Sequence, residues 1–186
     1  MHCDGVARAM TARASFKWAS ALGASVALFL FWGVVTAIGW PLAWLAPNVI
    51  GFPHWLVFSP STDAAFFGAS PTALIARDSA ILPLARAEML MLSGAVGSVG
   101  VAVASLAWFA LRKGERWALV TLGLVPLPTL FLAGVVMMDY AAKGARFALG
   151  DVPPFLILQA IAALLGFALG WKGTAEGSRP KPSTDS

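Results

Sequence analysis

LARAEMLMLSGAVGSVGVAVASLAWFAL (Leu84–Leu111), RKGER (Arg112–Arg116) and WALVTLGLVPLPTLFLAGVVMM (Trp117–Met138) follow one another without interruption. At about 1.5 Å per residue, each apolar run forms a helix longer than the roughly 30 Å of hydrocarbon in a bilayer. The pentapeptide between them is short and charged, so the two helices must turn back on each other as an antiparallel hairpin. A bilayer is the solvent that such a hairpin needs.

Two further runs extend the pattern outward. The first goes from Trp18 to Trp40 or Leu45 and ends at Pro41 and Pro47; the last is PFLILQAIAALLGFALGW, Pro154 to Trp171. The first run exceeds the roughly 7–15 apolar residues of a signal peptide and ends in WPLAWL, so it reads as an uncleaved anchor. Pro153 and Pro154 suit a helix start, where no backbone donor is missed. The expected fold is all-α: a polytopic four-helix membrane bundle with spans near 18–45, 84–111, 117–138 and 154–171. An external cap of loop and short helix fills 46–83, a cytoplasmic arm 1–17, and a disordered cytoplasmic tail 172–186. Within the cap, FPHWLVF (Phe52–Phe58) is expected to lie along the membrane surface and PTALIARDSAIL (Pro71–Leu82) to form a short helix.

Composition agrees. Hydrophobic residues make up 59% of the 186 and charged residues 12%, against roughly a quarter charged in a soluble domain. Eight Trp suit two membrane interfaces. Nine of the 13 basic residues fall in the N-terminal arm, the 112–116 turn and the tail, leaving only Arg77, Arg86, Lys143 and Arg146 on the other side. The positive-inside rule then puts the protein in the cell membrane with both termini in the cytoplasm. The net charge of +4 is a consequence of that topology and does not point to nucleic acid.

Small residues mark expected packing faces. Gly94, Ser98 and Ala102, with Gly97 and Ser105 beside them, and Ala162, Gly166 and Gly170 allow close backbone approach. Gly94, Ser98, Gly166 and Gly170 are expected to face neighbouring helices, within the bundle or in a homo-oligomer. Pro126 and Pro128 should kink the third helix, and Gln159 is expected to hydrogen-bond between helices.

The chemical inventory is thin. His2, His54 and the single Cys3 do not make a usual zinc set, and no His lies within a span to bind haem. No phosphate loop, nucleophile elbow or HExxH occurs. No cofactor or metal is expected.

The external mouth gathers the remaining polar residues: Arg86, Glu88, Asp139, Tyr140, Lys143, Arg146 and Asp151, with His54, Asp63, Arg77 and Asp78 from the long loop. Glu88 stands out, because no charge follows it until Arg112 and a carboxylate at the edge of hydrocarbon needs a partner or water. It is expected to point into the bundle toward Arg146 or Arg77. Glu88, Arg86, Asp139, Arg146 and His54 are the candidate ligand-binding residues; interfacial anchoring of helix ends is the alternative.

The stretch from Glu88 through RKGERWA (Arg112–Ala118) resembles the central hairpin of small bacterial four-helix membrane proteins, broadly the DoxX-like group. There a basic-Gly-basic-Trp turn joins helices two and three. The resemblance implies a four-helix fold more than an activity, and the long apolar external loop departs from that layout. The function expected is accessory or binding: membrane lipid, a small apolar ligand or a membrane-protein partner held through the external half. The alternative is a small membrane enzyme acting on a lipid or isoprenoid, with Glu88 or Asp139 as acid/base and Arg86 or Arg146 holding a headgroup. An oligomeric transporter or channel is less favoured, because no polar stripe lines the spans.

Overall fold

The computed structural model describes residues 16–45, 57–152 and 154–176. Over these the chain is all-α, with no strand among the described residues, and four helices are long and apolar enough to cross a membrane. The elements are α1 (Ala21–Leu45), α2 (Pro60–Phe67), α3 (Pro71–Arg77), α4 (Ile81–Phe109), α5 (Arg116–Leu124), α6 (Pro126–Ala142), α7 (Pro154–Ile161), a π-helical segment (Ala162–Gly166) and α8 (Phe167–Glu176). Span one is α1, span two is α4, span three is α5 with α6, and span four runs from α7 through α8.

Span boundaries differ from the expected ones for local reasons. The first helix begins at Ala21, because the Ser20 hydroxyl accepts the Gly23 N–H at 3.0 Å and caps the end. The second starts at Ile81, with Pro83 in its first turn, where a missing donor costs nothing. The third runs past Met138 to Ala142, which takes Asp139 and Tyr140 into helix. The fourth continues past Trp171 to Glu176, so the start of the expected disordered tail is helical. Here Gly173 lies against Leu22 of α1, and no side chain fits between them.

The 112–116 turn is a 3-10 turn, Leu111–Lys113, ended by Gly114 at φ 82°, a left-handed conformation that glycine adopts without strain. In the cap, two helices form where one was expected. Each opens with Ser then Pro: Ser59 accepts from the Thr62 N–H and Ser70 from the Ala73 N–H, with Pro60 and Pro71 in the first turn. The expected surface segment lies mostly outside the described residues, which include only Val57 and Phe58 of it.

Helix α1 is the centre of the bundle. Its Val26, Phe29 and Trp32 are buried with Val103 and Ala107 of α4, Leu111 of the turn, Leu119 and Leu122 of α5, and Ala162 of span four. Spans one and two cross where two glycines meet: a Cβ on Gly33 would lie 2.7 Å from Ala104 N and 2.8 Å from Gly100 O. Span four closes on the other side, Gly166 against the Phe29 ring and Gly170 against Leu119 and Ser25. Ser25 Oγ donates to the Gly166 carbonyl at 2.6 Å.

The expected faces on span four are therefore present, but those on span two are not. Gly94 and Ser98 are exposed; nothing lies within 4 Å of a Cβ on Gly94, and Ser98 Oγ donates to the Gly94 carbonyl within its own helix. The inward face of α4 carries Ser93, Gly100, Val103 and Ala107 instead.

Span three breaks at Val125. Pro126 and Pro128 cannot donate to the carbonyls of Leu122 and Leu124, so α5 ends and α6 begins anew with Pro126 in its first turn. Gln159 meets that break, its Nε2 donating to the Pro126 carbonyl at 3.4 Å, as the expected interhelical bond. The π-helical segment of span four begins three residues later, at Ala162. Both outer spans thus lose α-helical regularity close to one another.

Candidate functional site

Beyond the break, α6 and span four separate and leave a lateral hollow of about 420 Å³. Leu130, Gly134 and Met137 form one wall; Leu156, Ala160 and Leu164 form the other. Its lining is aliphatic and thioether throughout. Two sequence features make it: Ala133 and Gly134 present little side chain on α6, and the widened π turn carries Leu164 and Leu165 to the outside, 73% and 55% exposed.

The cap stands at the same end of the bundle. Its anchor is Asp63 of α2, fully buried, whose Oδ2 accepts the Val57 N–H at 3.1 Å and whose Oδ1 accepts the Phe58 N–H at 3.3 Å. Tyr140, on the last turns of α6, donates its hydroxyl to Asp63 Oδ1 at 3.2 Å and is 2% exposed. Aromatic rings enclose the pair: Phe66 is stacked on Tyr140 at 3.9 Å, and Phe58 meets it edge-on at 5.2 Å. Lys143 Nζ lies 3.9 Å from the Phe66 centroid on its face.

The loop joining α6 to α7 is drawn into the same anchor. Phe147 meets Phe58 edge-on at 5.2 Å. Asp151 accepts the Ala148 N–H at 2.7 Å. That bond first, and the Ser59 hydroxyl second, hold its carboxyl below the ordinary carboxylate value. The cap is therefore tied to helix three and to the following loop by hydrogen bonds and ring contacts.

The sequence candidates are placed differently. Glu88 and Arg86 on α4, Asp139 on α6 and Arg146 in the loop are all exposed, and none forms a hydrogen bond or ion pair among the described residues. His54 lies outside the described residues. Glu88 does not point into the bundle: at about 100° per residue it stands roughly 120° round α4 from Gly100, where that helix meets α1. Of the polar residues assigned to the mouth, the structure brings together Asp63 and Tyr140. The signal for them was a Ser-Pro helix start two residues from a Thr-Asp pair and the chain's single Tyr.

No family model matches the chain, and neither a curated protein nor a solved structure matches it.

Proposed function

We propose that this protein is an integral protein of a bacterial inner membrane, with both termini cytoplasmic, that binds a bilayer lipid by one acyl chain in the lateral hollow of its external half. The observation that carries this reading is the all-apolar hollow of about 420 Å³ between spans three and four. Its size falls in the roughly 300–1,000 Å³ range of small-molecule sites. It opens sideways among helices long and apolar enough to span a membrane, so the hydrocarbon of the bilayer is what borders it. The nine-to-four distribution of basic residues supports the orientation. The likeness of Glu88–Ala118 to DoxX-like hairpins agrees with a small four-helix protein of this type.

An accessory or binding role is supported by the hollow's lining, which carries no ionisable group. An acid/base mechanism would draw on Glu88 or Asp139, yet both are exposed and no bond among the described residues joins either to Arg86 or Arg146. Asp63 accepts donors from two backbone amides and a phenol, which suits a structural anchor.

Reconstitution with phosphatidylcholine bearing a diazirine near the chain end tests the reading. Illumination should label Gly134, Met137 and Ala160 several-fold more than Leu132, which is 60% exposed on the outer surface of α6. Ala160→Phe should fill the hollow and reduce labelling there alone. Equal labelling of hollow and outer surface would remove the proposal.

A further inference from the structure

The opposite end of the bundle, away from the cap, carries a second arrangement. Leu111 is buried and fixes the turn, so Arg112 reaches back over Trp108, one helical turn earlier. Its Cζ lies 4.4 Å from the Trp108 ring centroid and 5.9 Å from that of Phe16. Trp18 braces both rings, edge-on to Phe16 at 4.9 Å and 6.3 Å from Trp108. The guanidinium carbon is thus held over the indole ring, and its N–H donors are the groups left to meet an anion. Among the described residues no carboxylate pairs with it and no acceptor takes a hydrogen bond from it.

The surroundings are cationic. Lys17 precedes α1, Lys113 and Arg116 flank Gly114, and Lys172 is brought beside the start of α1 by the contact of Gly173 with Leu22; all four are exposed. Five described cations therefore share this end with the Glu115 carboxylate, and the last helix ends there at Glu176. At the cap end four described cations stand against five carboxylates. Trp18, Trp117 and Trp171, each more than half exposed, lie at the basic end, and indoles are enriched where membrane helices meet headgroups.

We propose that Arg112, held over the rings of Trp108 and Phe16, binds the phosphodiester of an anionic phospholipid, with the neighbouring lysines and Arg116 supplying the positive field. The planar N–H fork of a guanidinium matches two phosphate oxygens, which a lysine ammonium does not. The exposed Phe109 and Trp108 beside it offer apolar surface to the lipid's chains. This site is independent of the lateral hollow.

Native mass spectrometry of the full chain in detergent tests it, with phosphatidylglycerol and phosphatidylcholine of identical chains as probes. The wild-type protein should retain phosphatidylglycerol in preference. Arg112→Gln should weaken that preference about fivefold, the weight of one cation at an anionic lipid surface. Trp108→Leu keeps the charge but frees the guanidinium, and should lower the preference in the same direction, which covers the case in which Arg112→Gln fails to fold. Arg146→Gln, at the other end, should leave it unchanged. Preference intact in Trp108→Leu and in a folded Arg112→Gln overturns the proposal, as does equal loss in Arg146→Gln. Inorganic phosphate displacing phosphatidylglycerol at equimolar concentration would reassign the site to a soluble anion.

Discussion

Tyr140 and Asp63, 77 positions apart in the chain, meet in a buried hydrogen bond of 3.2 Å that fastens the cap to the end of helix three. Tyr140→Phe preserves the stacked ring against Phe66 and removes only the donor. The Asp63 carboxylate keeps its backbone donors, so the cost should be about 1–3 kcal/mol. Asp63→Ala should cost more, because it leaves the Val57 and Phe58 amides and the phenol without their carboxylate. Thermal unfolding in detergent measures both, and a Tyr140→Phe protein as stable as wild type would show that the bond does not hold the cap.

Two glycines on the same helix should respond oppositely to one substitution. Gly100→Leu drives a side chain into the backbone of Gly33 and Ala37, and should destabilise the protein by about 3 kcal/mol or more. Gly94→Leu enters open space and should stay within about 0.5 kcal/mol of wild type. Loss of fold in Gly94→Leu would mean that α4 packs on a face other than the one bearing Gly100.

That contrast marks where sequence reading ends. The four spans were legible because a bilayer-length run bounded by Pro or by RKGER admits few other structures. On span two, however, small residues occur all round the helix: Gly94, Ser98 and Ala102 on one face, Ser93, Gly97 and Gly100 on another. Spacing alone does not say which face meets α1; that depends on Gly33, in a different span. The cap anchor was hidden for a similar reason. Asp63 and Tyr140 both belong to the external mouth by sequence, but their bond depends on a helix at Pro60–Phe67, opened by Ser59-Pro60, that no apolar periodicity marks. Glu88 drew attention through its position at the edge of an apolar run, which measures the cost of burying it but not the direction in which it points.

The Asp151 carboxyl is held low by the Ala148 amide and the Ser59 hydroxyl, and the sign of its contribution follows. A depressed folded value stabilises the protein above the unfolded value, about 3.9, and that stabilisation is lost as the pH falls through the folded value. Wild type should therefore exceed Asp151→Asn in Tm at neutral pH, with the difference shrinking below about pH 4. Because the group sits at the surface, the difference should be small. A gap that widens on acidification would assign the carboxylate the opposite role.

Gln159 and Ser93 are both buried polar residues inside spans, 6% and 5% exposed, yet only Gln159 has a partner among the described residues. Gln159→Leu removes a donor from the Pro126 carbonyl at a length of 3.4 Å, near the limit for such a bond. Interhelical bonds in membranes average about 0.6 kcal/mol, so the loss should be of that order. Ser93 Oγ is buried without a hydrogen bond, so Ser93→Ala gives up no interaction and relieves a desolvated hydroxyl. It should leave stability unchanged or raise it by up to about 1 kcal/mol. Guided by these two sites, unfolding measurements in one detergent separate a polar group that joins helices from one that is merely enclosed. A destabilised Ser93→Ala protein would show that its hydroxyl bonds to a group outside the described residues.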